Sequence, residues 1–166
     1  MASKILQKRI LVVDDNTIAA DITAELLEMH GYRVSVAYGG YEALAKAVEL
    51  IPNVVLLDLG MPVLDGYGVM SALRNVPSLN DTSFIAYTAF SDLETRARVR
   101  ACGFHTHLAK PARLGTLMDC IEGRLHQSDC DLHRDLAQQP NRSSSALTAL
   151  FSGLTKDIKH FVACGD

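Results

Sequence analysis

Short apolar runs alternate with longer, helically patterned stretches as far as residue 126. Ile10-Leu11-Val12-Val13 and Val54-Val55-Leu56-Leu57 are unbroken runs of four large apolar residues. Such runs read as strands buried on both faces. Phe84-Ile85-Ala86-Tyr87 is a third, Arg33 to Ala37 alternates like a strand, and His105 to Ala109 is a weaker one. Between them, Thr17 to His30 carries Ile18, Ile22, Leu26 and Met29 at helical spacing, with Asn16 as N-cap and Gly31 as stop. Further helices are predicted over Tyr41 to Leu50, Gly66 to about Asn75, Asp92 to Cys102 (capped near Ser91) and Ala112 to His126. Five βα units with short loops predict an α/β domain, a parallel sheet with helices on both faces.

The composition changes after His126. Residues 127–145 contain Gln138-Gln139-Pro140-Asn141 and three consecutive serines, a linker composition. In residues 146–163, Leu147, Leu150, Phe151, Leu154, Ile158, Phe161 and Val162 follow a helical period. This stretch reads either as an amphipathic helix that covers the domain, dimerises or binds a partner, or as a poorly ordered tail. From Gln127 onward there are five acids against four bases, and the whole chain has a net charge of -3. Neither gives an electrostatic case for nucleic acid or a membrane surface. With no signal-peptide core and no run of about 18 apolar residues, the expectation is a soluble cytoplasmic protein. The four cysteines show no metal-ligand spacing and read as reduced thiols.

The chemistry collects where the strands end. Asp58 closes the run at Val54–Leu57, and Asp14-Asp15 closes the run at Ile10–Val13. Ligands of open α/β sheets bind outside the carboxyl ends of the strands. Three carboxylates gathered there call for a cation, and hard oxygen ligands suit Mg²⁺ or Mn²⁺. Thr88-Ala89 adds a hydroxyl after the third run, and Lys110-Pro111 an ammonium after the weaker one. Nucleophile, metal ligands, hydrogen-bond donor and counter-charge together make a site for a phosphoryl group.

The ordered set Asp14-Asp15-Asn16, Asp58 with Met61-Pro62 and Asp65-Gly66, Thr88-Ala89 and Lys110-Pro111 resembles the receiver domain of two-component response regulators, over residues 8–126. The resemblance implies a flavodoxin-like (βα)5 fold with strand order 2-1-3-4-5, here with a C-terminal helical extension. It makes Asp58 the phosphoacceptor, with a histidine kinase or a histidine phosphotransfer protein as donor. Asp15, Asp58 and the Gly60 backbone carbonyl would ligate the metal directly, and Asp14 through water. Lys110 would pair with Asp58 at rest and with the phosphoryl group afterwards, turned into the site by a cis bond to Pro111. Thr88 would move its hydroxyl to a phosphoryl oxygen, with small Ala89 leaving room for the donor.

Two positions depart from the family pattern. An aromatic switch residue is expected three before the lysine, and His107 stands there, which suggests a pH-sensitive coupling. Gly60 lacks the larger side chain that often shields the acyl phosphate, which suggests a short-lived phosphoryl group. The setting Gly103-Phe104 to Lys110-Pro111 resembles receivers attached to hybrid sensor kinases more than those on transcription factors. The expected role is a signalling switch without DNA-binding output, which catalyses its own phosphorylation but is not an enzyme in the ordinary sense. A downstream protein or a second copy would read it, through the face of the fourth helix, fifth strand and fifth helix. Rival readings are a non-phosphorylated scaffold and an aspartyl-phosphate hydrolase, which needs an acid where Gly60 stands. A flavodoxin relative would need a phosphate loop where Asp14-Asp15-Asn16 stands.

Overall fold

The computed structural model describes residues 7–125. Five strands, β1 (Arg9–Val13), β2 (Arg33–Ala37), β3 (Val54–Leu57), β4 (Ser83–Thr88) and β5 (Thr106–Ala109), form one parallel sheet in the order 2-1-3-4-5. Each strand leads to a helix: α1 (Thr17–Met29), α2 (Gly40–Leu50), α3 (Gly66–Leu73), α4 (Leu93–Cys102) and α5 (Leu114–Ile121). A single 3-10 turn at Pro77–Leu79 precedes β4. The fold is the flavodoxin-like (βα)5 arrangement. The expected linker at 127–145 and helix at 146–163 lie outside the described residues.

Alternation along the central strands divides the core in two. Leu11, Val13, Val55 and Leu57 pack with Ala43 and Ala47 of α2, Val69, Met70 and Leu73 of α3, and Val99 of α4. Ile10, Val12, Val54 and Leu56 pack on the other face with Ala20 and Leu27 of α1 and Leu117, Cys120 and Ile121 of α5. The unbroken apolar runs follow from this, since successive residues enter opposite cores and neither face meets water.

The helix boundaries differ in places from the sequence expectation. Asn16 caps α1, accepting from Ala19 N–H at 3.1 Å. The cap of α4 is Asp92 rather than Ser91; its carboxylate accepts from Thr95 N–H at 2.8 Å, and an anion there also suits the helix dipole. Helix α3 ends at Leu73, and α5 is much shorter than Ala112 to His126. The apolar stripe of α1 faces outward. Ile18, Ile22, Leu26 and Met29 are exposed, and Ala20, Ala24 and Leu27 are buried instead. Small alanines let the helix lie close to the sheet, and that close approach turns the bulkier stripe to solvent.

Candidate phosphoryl-transfer site

Backbone hydrogen bonds carry the sheet ladder one residue past the strand ends and fix the reactive residues at one level. Asp14 N–H donates to Ala37 C=O at 3.1 Å, Asp58 N–H to Val13 C=O at 2.9 Å, and Lys110 N–H to Thr88 C=O at 2.8 Å. The loop after Asp58 is drawn in by Gly66 at the start of α3. A Cβ there would come within 2.3 Å of the Asp58 carbonyl oxygen and 2.9 Å of Leu59 Cα, so only glycine allows this approach. Asp65, just before it, caps α3 by accepting from Gly68 N–H at 2.8 Å.

The three carboxylates come together: one oxygen each from Asp14, Asp15 and Asp58 lies within 4.8 Å of the others. Asp14 is buried, Asp58 half-buried and Asp15 exposed. Lys110 Nζ forms an ion pair with Asp14 Oδ2 and lies 3.1 Å from Asp58 Oδ2. Asp14 also accepts from Asn16 N–H at 3.0 Å, and Asp58 Oδ1 from Gly60 N–H at 3.3 Å. Burial works to lower the Lys110 pKa, but hydrogen bonds and charge from Asp14 and Asp58 outweigh it, and the net shift is upward. The Lys110–Pro111 peptide bond is cis. One ammonium does not neutralise three carboxylates. An all-oxygen donor set with an exposed member therefore fits a divalent hard cation that keeps water ligands.

Thr88 and His107 line the other side. Thr88 is fully buried, and its Oγ1 accepts from Phe90 N–H at 3.3 Å. Ala89 is exposed beside it. His107 is buried on β5, and its Nε2 lies 3.0 Å from the Phe90 carbonyl oxygen. His105 stands outside the strand and is exposed; its Nδ1 accepts from Phe84 N–H at 3.0 Å. The two histidines thus hold different backbone groups and form no common site.

Phe90 is the residue that sequence reasoning missed. A Cβ built on Gly60 would come 2.7 Å from Phe90 Cε2, so the space beside Gly60 is occupied by this ring. The ring thus stands where a larger side chain at Gly60 would reach. The chain carries no spacing signal for it, because the contact forms only where the loops after β3 and β4 meet.

The chain belongs to the response regulator receiver domain family, whose model matches residues 10–122. Transcriptional regulatory protein PrrA of Mycobacterium leprae is 35% identical over 130 residues, covering 76% of this chain and 54% of that protein. Protein PilG of Pseudomonas aeruginosa is 29% identical over 117 residues, covering 70% of this chain and 87% of that protein. The chain thus spans about half the length of PrrA. Among solved structures, chemotaxis protein CheY4 of Vibrio cholerae aligns with a TM-score of 0.68 at 29% identity, covering 72% of this chain and 99% of that one. Proteins of this family are signalling switches that partner with histidine kinases or phosphotransfer proteins.

Proposed function

We propose that this chain accepts a phosphoryl group on Asp58 from a phosphohistidine and signals by the conformational change that follows. The observation that carries this reading is Asp58 Oδ2, 3.1 Å from Lys110 Nζ and clustered with Asp14 and Asp15 at the carboxyl edge of the sheet. An Asp58 oxygen attacks phosphorus in line, and the bond between phosphorus and the donor imidazole nitrogen breaks. The electron pair stays on that nitrogen, and a proton from solvent completes the neutral imidazole. Asp15, Asp58 and the Gly60 carbonyl would hold Mg²⁺ or Mn²⁺, with Asp14 acting through water, and such an ion supplies neutralisation of the phosphoryl oxygens.

Lys110 then exchanges its carboxylate partner for a phosphoryl oxygen, and Thr88 turns its hydroxyl to another, with Ala89 leaving room. The added charge of about -1.5 to -2 drives both movements. The donor docks beside the acids. Helix α1 starts two residues past Asp15 and exposes Ile18, Ile22, Leu26 and Met29, a continuous apolar stripe suited to a helical surface of a kinase or phosphotransfer protein. The readers of the switch are a downstream protein or a second copy, rather than nucleic acid, in keeping with a net charge of -3. The reading places the chain in the cytoplasm; among the described residues no helix is long and apolar enough to cross a membrane.

Incubation with acetyl phosphate and Mg²⁺, followed by intact-protein mass, tests the reading. The expected result is a gain of one phosphoryl group, lost in Asp58→Asn and in chelator. No gain in the wild-type chain would overturn it and favour a scaffold that acts through contacts alone.

A further inference from the structure

The sheet has an open edge at β2, which pairs with β1 alone. Arg33 N–H donates to Lys8 C=O at 3.0 Å, and Ala37 C=O accepts from Asp14 N–H at 3.1 Å. In a parallel ladder the peptide groups of alternate residues turn the same way. Arg33, Ser35 and Ala37 therefore bond to β1. The peptide groups of Val34 and Val36 face outward, followed by the Tyr38 N–H. A row of unpaired donors and acceptors at a sheet edge is a template for another strand, and folded chains guard against it.

Here the guard covers half of the edge. From α2, Lys46 Nζ donates to Val36 C=O at 2.5 Å, and Glu42 Oε2 accepts from Tyr38 N–H at 2.8 Å. The two side chains are themselves an ion pair at 2.7 Å, one helical turn apart. Together they present one donor and one acceptor, as the peptide groups of one residue in a sixth strand would. The hydrogen bonds from Lys46 and from the Tyr38 N–H hold the Glu42 carboxyl below the usual carboxylate range, so the pair stays ionised. The N–H and C=O of Val34 and the N–H of Val36 have no partner among the described residues.

The side chains of the edge are arranged by face. Val34 and Val36 pack with the core under α1 and α5, whereas Ala37 packs with α2. Alternation puts Arg33 and Ser35 on the α2 side. Arg33 is exposed, with no ion-pair partner among the described residues. Glu42 stands on that same side at the other end of the strand.

We propose that the β2 edge is an interaction surface for a second copy of this chain, joined antiparallel about a two-fold axis at Ser35, and that the Glu42–Lys46 pair competes for it. The register follows from the outward groups. Val34 of each copy meets Val36 of the other, so that every outward N–H and C=O of the two valines is paired. A two-fold axis at right angles to the sheet keeps like faces together and exchanges the strand ends. Arg33 of one copy then lies by Glu42 of the other on the α2 side, and gains the counter-charge it lacks alone. Val36 C=O takes part in the pairing, so Lys46 has to release it first. The chain thus holds its own edge at low concentration and yields it to a second strand at high concentration. None of the three clustered acids, nor Lys110, lies on β2, so the association does not depend on phosphorylation.

The test is sedimentation velocity of the full-length chain over a concentration series, with no phosphodonor. Wild type is expected to associate weakly. Lys46→Met keeps the aliphatic stem and removes the ammonium from Val36 C=O. It should dimerise roughly tenfold more tightly, since both copies lose a competing hydrogen bond. Val34→Pro added to Lys46→Met should abolish the dimer. The N–H it deletes faces outward, so the β1 ladder stays whole and the Tm should move little. Arg33→Glu should weaken the Lys46→Met dimer, and adding Glu42→Lys should restore it with the charges reversed. Equal association of Lys46→Met and wild type would overturn the proposal and leave the edge to a strand of a different protein. A dimer that survives Val34→Pro would place the contact elsewhere on the chain and overturn it as well. Loss on Arg33→Glu without recovery in the charge reversal would overturn the two-fold register.

Discussion

At the strand-end edge, β1 and β3 make one corner and β4 and β5 make another, and the two are held by different forces. The first is a cluster of three carboxylates around one ammonium from the far strand. The second is a chain of neutral hydrogen bonds from His107 through the Phe90 backbone to Thr88. Charge in a half-buried site is sensitive to any change in ion balance. Neutral bonds of normal length contribute less each but depend on geometry. The acidic corner is therefore the one that a change of charge should move, and the neutral corner the one that a change of geometry should move.

Lys110 joins the two corners, and its removal should be the most damaging change. Lys110→Ala leaves three carboxylates within 4.8 Å with no counter-charge, one of them buried. Urea unfolding should show a loss of about 3 kcal/mol, partly restored by millimolar Mg²⁺. A variant as stable as wild type without Mg²⁺ would mean that the acids are not held together by this ammonium.

Alkaline pH removes the same charge without a mutation. The folded-state pKa of Lys110 is raised, so the fold binds this proton more tightly than the unfolded chain does. The stabilisation is fully present below the ordinary lysine pKa and is lost as pH rises through the raised folded value. Tyr32, pushed up to about 12 by burial and its hydrogen bond to Glu122, works in the same direction over an overlapping range. The measurement therefore belongs in a Tyr32→Phe background. Stability should still fall above pH 10.5 there, and the fall should shrink when Lys110→Ala is added.

Gly66→Ala tests how the acidic corner is placed rather than how it is charged. The new Cβ would press on the Asp58 carbonyl and on Leu59 Cα, backbone atoms that have little freedom to yield. A loss of about 2 kcal/mol is expected, together with weaker Mg²⁺ binding. In the neutral corner, His107→Phe puts a slightly larger apolar ring in place of the imidazole and deletes the donor to the Phe90 carbonyl. The expected cost is about 1 kcal/mol, read as a lower Tm with Mg²⁺ affinity unchanged. A matching fall in Mg²⁺ affinity would show that the two corners are not separable.

The same contrast explains what was legible in the sequence. Asp58 and Asp14-Asp15 stand out because a carboxylate after an unbroken apolar run has no place in a strand core. The strand runs themselves are readable because both faces of the sheet are covered. The α1 stripe marks the segment as a helix and says nothing of burial, since periodicity reports two faces but not which one a neighbour covers. Alanines 20 and 24 are the buried ones because of how near the helix lies to the sheet. Phe90 was out of reach for a related reason. Its ring meets Gly60 only after two loops from different strands converge, and no spacing along the chain records that.

An effect of similar size to that of His107→Phe but opposite sign is expected in the acidic corner's own loop. Val63, between Pro62 and Leu64, has φ of 68° and is 92% exposed. A β-branched side chain in the left-handed region crowds its own backbone, and nothing is gained by burial there. Val63→Asn keeps the backbone shape with a residue that tolerates it, and should stabilise the chain by about 1 kcal/mol. Thermal unfolding gives the sign. If the loop's strained shape matters only to the fold, Mg²⁺ binding and phosphorylation of Asp58 should be unchanged. Slower loading alongside the higher Tm would show that the strain at Val63 helps hold Asp58 and Gly60 in their reactive placement.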